Sequence, residues 1–282
     1  MDTFTAADTR FKNYFSIPFE RQVMNIEYSV LRDYHGKGNL AGNTEMHFRK
    51  GIDEGFDGFK ADMRFSSDGE IVLCHDPGYT FNQDGKVTYF NKESFTPIHE
   101  MTLNEILALE FEHPFEEEWL HPCTLDTMLS LCEQSDSAAY LTLRPEPWRP
   151  EVAKRMVQLL LAHRMQHRTI VNLYTGEKEA VSCVSALLPG LVYCNTKYPS
   201  DPLTPELIES SASDGYQIIC LNVGQLETVT AENLELADSK GIRIWTWGVR
   251  NAEECAANIN HGVTGFQMYT RDVNNSVIAE IL

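Results

Sequence analysis

No apolar run in this chain approaches the ~20 residues that a membrane-spanning helix requires, although 43% of its 282 residues are hydrophobic. That share is the composition of a water-soluble globular core, and no stable membrane insertion is expected. Basic residues are scarce, with 23 Lys and Arg against 41 Asp and Glu and a formal charge of -18. Such a balance argues against nucleic acid, whose phosphates need clustered cations. It disfavours a permanent seat on an anionic membrane for the same reason. A small phosphate ester needs only a few local cations and stays open as a ligand. The seven cysteines show no CxxC spacing, so all are expected as thiols and none as a zinc site. Cys74, Cys194 and Cys220 fall in apolar runs, where a reduced thiol packs as a small hydrophobe. The opening MDTFTAADTRFKNYF has neither the apolar stretch nor the basic start of a secretory signal, and a cytoplasmic protein is the expectation.

Linkers rich in Pro, Gly or Ser are missing too, and one domain over residues 1–282 is the expectation. β-rich runs alternate with helical stretches at a regular spacing. The strand candidates are 26–33, 58–65, 138–144, 169–174, 191–197, 216–223, 242–249 and 264–269. Helical patterns follow each of them, several starting at a capping residue or Pro and stopping at Gly55, Gly241 or Gly262. Eight such units predict an α/β fold closed into a parallel (β/α)8 barrel. The stretch after the second strand breaks the rhythm. A polar SSDG turn reverses the chain, so EIVLCHD is expected to run back antiparallel to strand two, carrying His75 and Asp76 to the barrel mouth. Residues 77–122 then form an insertion near that mouth, with one helix around MTLNEILAL, of the kind that shapes a substrate entrance.

Strands of a barrel are buried outside by helices, so polar residues mark their inner faces. Strand two alternates Phe59, Ala61 and Met63 outward with Lys60, Asp62 and Arg64 inward. Strand three turns Thr142 and Arg144 inward, with Glu146 two residues on. Asn172 and Tyr174, Asn195 and Lys197, Asn222, and Trp245 with Trp247 are the polar or large inward candidates of later strands. A lone Asn172 or Asn222 is expected to satisfy a core network. Burying Lys60, Asp62, Arg64 and Arg144 together costs several kcal/mol of desolvation, and a functional role accounts for that cost better. Among nine histidines, His35 ends strand one in DYHGKGN beside Lys37, and His75 ends the hairpin. Two imidazoles facing one phosphorus can serve as acid and base, because their unperturbed pKa lies near neutrality. The other histidines are expected to be structural or solvent-facing.

Residues 35–76 resemble the glycerophosphodiester phosphodiesterase family, whose signature runs HRG, ENT, a helix, GxDxxELDV, a DG turn and VxxHD. The counterparts are His35-Gly36, Asn43-Thr44, FRKGIDEGFDG, Lys60-Ala61-Asp62-Met63, Asp68-Gly69 and Val72 to His75-Asp76. MTLNEILAL, HPCTLDTMLSL, LTPELIESSASDGYQI and IWTWGVRNAEE are similar to later family segments, and the likeness spans about residues 30–270. The resemblance implies a TIM barrel, a small phosphodiester or lysophospholipid-like substrate, and His35 and His75 as the acid–base pair. Lys60, Arg64, Arg144, Lys37 and Trp247 become candidate substrate contacts.

It also implies Mg²⁺ or Ca²⁺, held by the Glu and Asp of ExD and by a Glu on the next parallel strand. Here those positions read Lys60, Asp62 and Thr142, and the Glu before Asn-Thr is Gly42. Asp62 beside the Lys60 ammonium makes a poor cage for a hard cation, with Glu146 the candidate second ligand. Lys60 and Arg144 are expected instead to hold the phosphate and offset its developing charge. The competing expectations are a barrel that has lost catalysis and binds a phosphorylated or sugar-like ligand, and a lyase or transferase that forms a cyclic phosphate.

Overall fold

The computed structural model describes residues 24–27, 42–88, 90–112, 121–143, 150–174, 178–268 and 280. They begin with strand β1 (Met24–Glu27), helix α1 (Glu45–Asp53) and strand β2 (Gly58–Phe65). Short strands β3 (Ile71–Leu73), β4 (Gly78–Phe81), β5 (Val87–Thr88) and β6 (Thr96–Pro97) come next, then helix α2 (Leu103–Leu107) and strand β7 (Cys123–Thr124). Helix α3 (Leu125–Ser135) leads into strict alternation: β8 (Ala138–Leu143), α4 (Pro150–Ala162), β9 (Thr169–Tyr174), α5 (Lys178–Leu187) and β10 (Val192–Thr196). The alternation continues with α6 (Pro205–Ser213), β11 (Ile218–Asn222), α7 (Ala231–Ser239), β12 (Arg243–Val249), α8 (Ala252–Asn260) and β13 (Gly265–Met268).

Parallel pairing runs β2-β8-β9-β10-β11-β12-β13-β1, and β1 also pairs with β2 through Ile26 opposite Gly58. The eight parallel strands therefore close into a ring, the barrel expected from the strand-helix rhythm. Six helices begin on a side-chain cap: Thr44, Thr102, Thr124, Thr204, Thr230 and Asn251 each accept a first-turn backbone N–H. Each cap contributes about 1 kcal/mol and fixes where a loop hands the chain to a helix.

Beyond Phe65 a tight turn at Gly69 (φ 85°) reverses the chain, and β3 pairs antiparallel with the end of β2, Arg64 opposite Val72. Asp68 Oδ1 accepts from Leu103 N–H at 3.0 Å, tying the turn to the start of α2. The insertion holds more than its expected helix. β4, β5 and β6 form a small antiparallel sheet over a satellite core of Val72, Tyr79, Val87, Ile98 and Ile106.

Most of the core lies between barrel and helices, where Phe59, Ala61, Met63, Leu141 and Leu143 meet α3 and α4 side chains such as Leu129 and Met156. A separate cluster fills the barrel: Ala138, Tyr140, Ile170, Cys194, Ile218, Cys220 and Trp245. Strands β2 and β8 alternate as expected, but β10 does not. Asn195 is in register with Leu173 and Ile219, both of the outer core, and its amide donates to Ser211 of α6 at 3.1 Å. Cys194 and Thr196 take the interior instead. Ser211 takes the amide's donor while the buried Oδ1 finds no partner among the described residues, so polarity misreads that face.

All seven cysteines are free thiols. Burial pushes the Cys74 and Cys132 thiols up to about 12 from an ordinary 9.0, with Asp76 adding to the shift at Cys74. These thiols keep their protons in the folded chain where the unfolded chain has lost them. Their contribution is whole below about pH 9 and is lost as pH climbs toward 12, by roughly 2 kcal/mol per thiol at pH 10.5. Melting temperature is expected to fall steeply between pH 9 and 10.5, and Cys132→Ala should flatten that slope. A wild-type melting temperature flat across the interval would contradict this account.

Candidate active site

Parallel register sets Asp62 beside Thr142 and Thr142 beside Asn172 on three adjacent strands. Lys60, Asp62 and Thr142 are 3%, 2% and 0% exposed. Lys60 Nζ lies 2.6 Å from Asp62 Oδ1, an ion pair enclosed on β2. Asn43, held at φ 60°, reaches in from the start of α1. Its Nδ2 donates to Asp62 Oδ2 at 3.2 Å, and its Oδ1 accepts from Asp62 N–H at 2.8 Å. Both carboxylate oxygens are thus engaged. Removing either partner of such a buried pair costs about 3–5 kcal/mol.

Arg64 is buried, and its guanidinium donates to the backbone oxygens of Cys74 at 3.3 Å and His75 at 2.7 Å. Those bonds anchor the hairpin beneath His75. His75 Nδ1 lies 2.9 Å from Asp76 Oδ1, and a carboxylate accepting from Nδ1–H places the lone pair for proton transfer on Nε2. A cleft opens here between hairpin and small sheet, lined among others by Asn43, His75, Asp76, Tyr79, Phe90 and Phe111. Trp247 lies half-buried on β12, with its indole N–H on the Lys197 carbonyl at 3.1 Å. His35, Lys37, Arg144 and Glu146 lie outside the described residues. Asn222 caps the turn after β11 by accepting from Gly224 N–H at 2.9 Å.

A family model, the glycerophosphoryl diester phosphodiesterase family, matches residues 36–268. The chain belongs to this family. Family members are phosphoric diester hydrolases. Among solved structures, a putative glycerophosphoryl diester phosphodiesterase from Silicibacter pomeroyi DSS-3 is similar at TM-score 0.74 and 18% identity, over 96% of this chain and 98% of that one. A putative glycerophosphodiester phosphodiesterase from Galdieria sulphuraria is similar at TM-score 0.71 and 16% identity, over 92% and 97%. An Oleispira antarctica phosphodiesterase, solved with the product sn-glycerol-3-phosphate, is similar at TM-score 0.68 and 15% identity, over 91% and 96%. No curated protein matches the chain.

The divalent ion of the glycerophosphoryl diester phosphodiesterase pattern does not fit the described residues. Its position on β2 carries an ammonium, the oxygens of Asp62 are spent on Lys60 and Asn43, and Thr142 accepts from Asn172 Nδ2 at 3.1 Å. Hard cations need several oxygen ligands. Sequence reasoning passed over Asn43 as a site residue, although an Asn just before a Thr helix cap suits the left-handed turn that aims it at Asp62.

Proposed function

We propose that the chain cleaves a small glycerophosphodiester with His75 and His35 as the acid–base pair and the Lys60 ammonium in place of a divalent ion. The observation that carries this reading is the enclosed Lys60–Asp62 pair, 2.6 Å apart on the inward face of β2. Fixed positive charge in a water-poor site stabilises a phosphoryl oxygen as its negative charge grows. Asp62, held by Asn43, keeps the ammonium in place. Arg64 positions His75 through its backbone, while Lys37 and Arg144 are the remaining proposed phosphate contacts and Trp247 a wall for the glycerol.

In hydrolysis, water attacks phosphorus as one imidazole takes its proton, and the other imidazole protonates the departing alkoxide. A phosphomonoester and a free alcohol result. If the attacking oxygen is the substrate's neighbouring hydroxyl, the same proton movements release a cyclic phosphate. Loss of carboxylates at Gly42, Lys60 and Thr142 favours a second reading, a barrel that binds such a ligand without turning it over.

Turnover of glycerophosphodiesters and lysophospholipids, with and without EDTA, tests the proposal. Wild-type activity is expected to survive EDTA, and Lys60→Met to lower kcat by roughly 10²-fold. Activity abolished by EDTA and restored by Mg²⁺ or Ca²⁺ would overturn the role given to Lys60. Ligand binding with no turnover of any phosphodiester would leave the binding barrel standing.

A further inference from the structure

We infer that Thr142 donates its hydroxyl hydrogen to an oxygen of the bound phosphoryl group, aimed there by a chain of hydrogen bonds that crosses the barrel. This inference rests on the proposed phosphodiester site and adds to it a residue and a direction.

The chain starts on β13, where Gln267 Nε2 donates to Tyr140 OH at 2.6 Å. The phenol lies 3.3 Å from Thr196 Oγ1. Thr196 donates to Asn172 Oδ1 at 2.5 Å, and Asn172 Nδ2 donates to Thr142 Oγ1 at 3.1 Å. Every member is at most 1% exposed. The direction follows from the inventory of donors. An amide oxygen only accepts, so Thr196 spends its single hydrogen on Asn172. Tyr140 must then be the donor toward Thr196, sharing its hydrogen with Cys194 Sγ at 3.1 Å. Burial, with Cys194 and Cys220 nearby, pushes the phenol well above 10, so it carries that hydrogen.

At the far end, Thr142 has already accepted from Asn172. Its own hydrogen is left for a further acceptor, on a residue in register with Asp62 of the neighbouring strand. Aligned bonds of this kind polarise one another, and the last donor gains most. Glutamate at this position would accept from Asn172 and offer further lone pairs, the arrangement a cation wants. Threonine accepts in the same place and offers a hydrogen, the arrangement an anion wants. Lys60 and Thr142 thus make the same exchange on adjacent strands, from acceptor to donor.

The test is calorimetric binding of inorganic phosphate to the full chain, alongside kcat and KM. Thr142→Val keeps the shape and removes the hydroxyl, both its hydrogen and the oxygen that accepts from Asn172, and phosphate Kd is expected to rise roughly 10-fold or more, the range for a hydrogen bond to a charged group. Thr142→Ser should stay within about threefold of wild type. Thr196→Val cuts the relay without touching the anion and should weaken phosphate severalfold; it also serves if the Thr142→Val chain does not fold. Wild-type phosphate affinity in both valine variants would overturn the relay while leaving the phosphodiester site intact. A wild-type chain that neither binds phosphate nor cleaves a diester would bring down both.

Discussion

His75→Ala is expected to lower kcat by roughly 10²- to 10⁴-fold, the usual worth of a positioned acid or base. KM should move far less, because in the proposed mechanism the imidazole handles a proton rather than the phosphate. The hairpin fixes the residue to which the proposal gives so much. The Arg64 guanidinium clasps the carbonyls of Cys74 and His75, and β7 braces the other edge of β3 by pairing Leu73 with Cys123. Asp76 then sets the ring's tautomer from 2.9 Å. Asp76→Asn keeps the size but can donate toward Nδ1, turning the ring to the wrong tautomer, and should cost kcat with little change in melting temperature. A His75→Ala kcat within threefold of wild type, or a loss confined to KM, would remove His75 from the chemistry.

How much of this was legible beforehand follows from which forces are local. Eight β-rich runs separated by capped helices carry the barrel, since strand and helix periods and cap chemistry are all written within a few residues. Lys60 and Asp62 are two apart on one strand, so their shared inward face needs only alternation. The antiparallel return of EIVLCHD follows from one polar turn. The three short strands of the insertion do not, because two to four residues are too few to show a period. On β10 the choice between Asn195 and Thr196 depends on Ser211, a partner 16 residues away on a helix. The relay from Gln267 to Thr142 lies furthest from sequence reasoning. It spans β13, β8, β10 and β9, and only the register of all these strands reveals it.

The resemblance to family motifs and the geometry bear on the site in different ways. Motif matching marks Lys60 and Thr142 as departures, which alone would suit decay as well as adaptation. The geometry gives each departure a partner: Asp62 and Asn43 for the ammonium, Asn172 for the hydroxyl. Random loss of carboxylates leaves buried acceptors or cavities behind. Here the neighbouring groups are hydrogen-bonded around the new side chains, which supports the proposed anion site.

Gly265→Ala is expected to destabilise the chain by about 3 kcal/mol, the upper end for forcing extra volume into a packed core. Gly265 lies opposite Trp245 in the β12–β13 register, inside the barrel. A Cβ there would fall within the indole, against Cε2, Cδ2 and Nε1. The ring has nowhere to retreat. Trp245 is 0% exposed, and its plane stacks on Tyr140 at a centroid distance of 6.1 Å and 17°. Tyr140 in turn is tied by its hydroxyl to Gln267. The added methyl therefore shifts the stack or spreads two strands, and melting temperature should fall by roughly 6–12 °C for a chain of this size. Trp245→Phe in the same chain frees volume beside the new methyl and should recover part of the loss, a coupling that strand propensity alone would not produce. Because the stack holds the second member of the relay, phosphate binding should weaken along with stability in Gly265→Ala. A variant that melts within 2 °C of wild type would mean the barrel interior yields more than close packing allows.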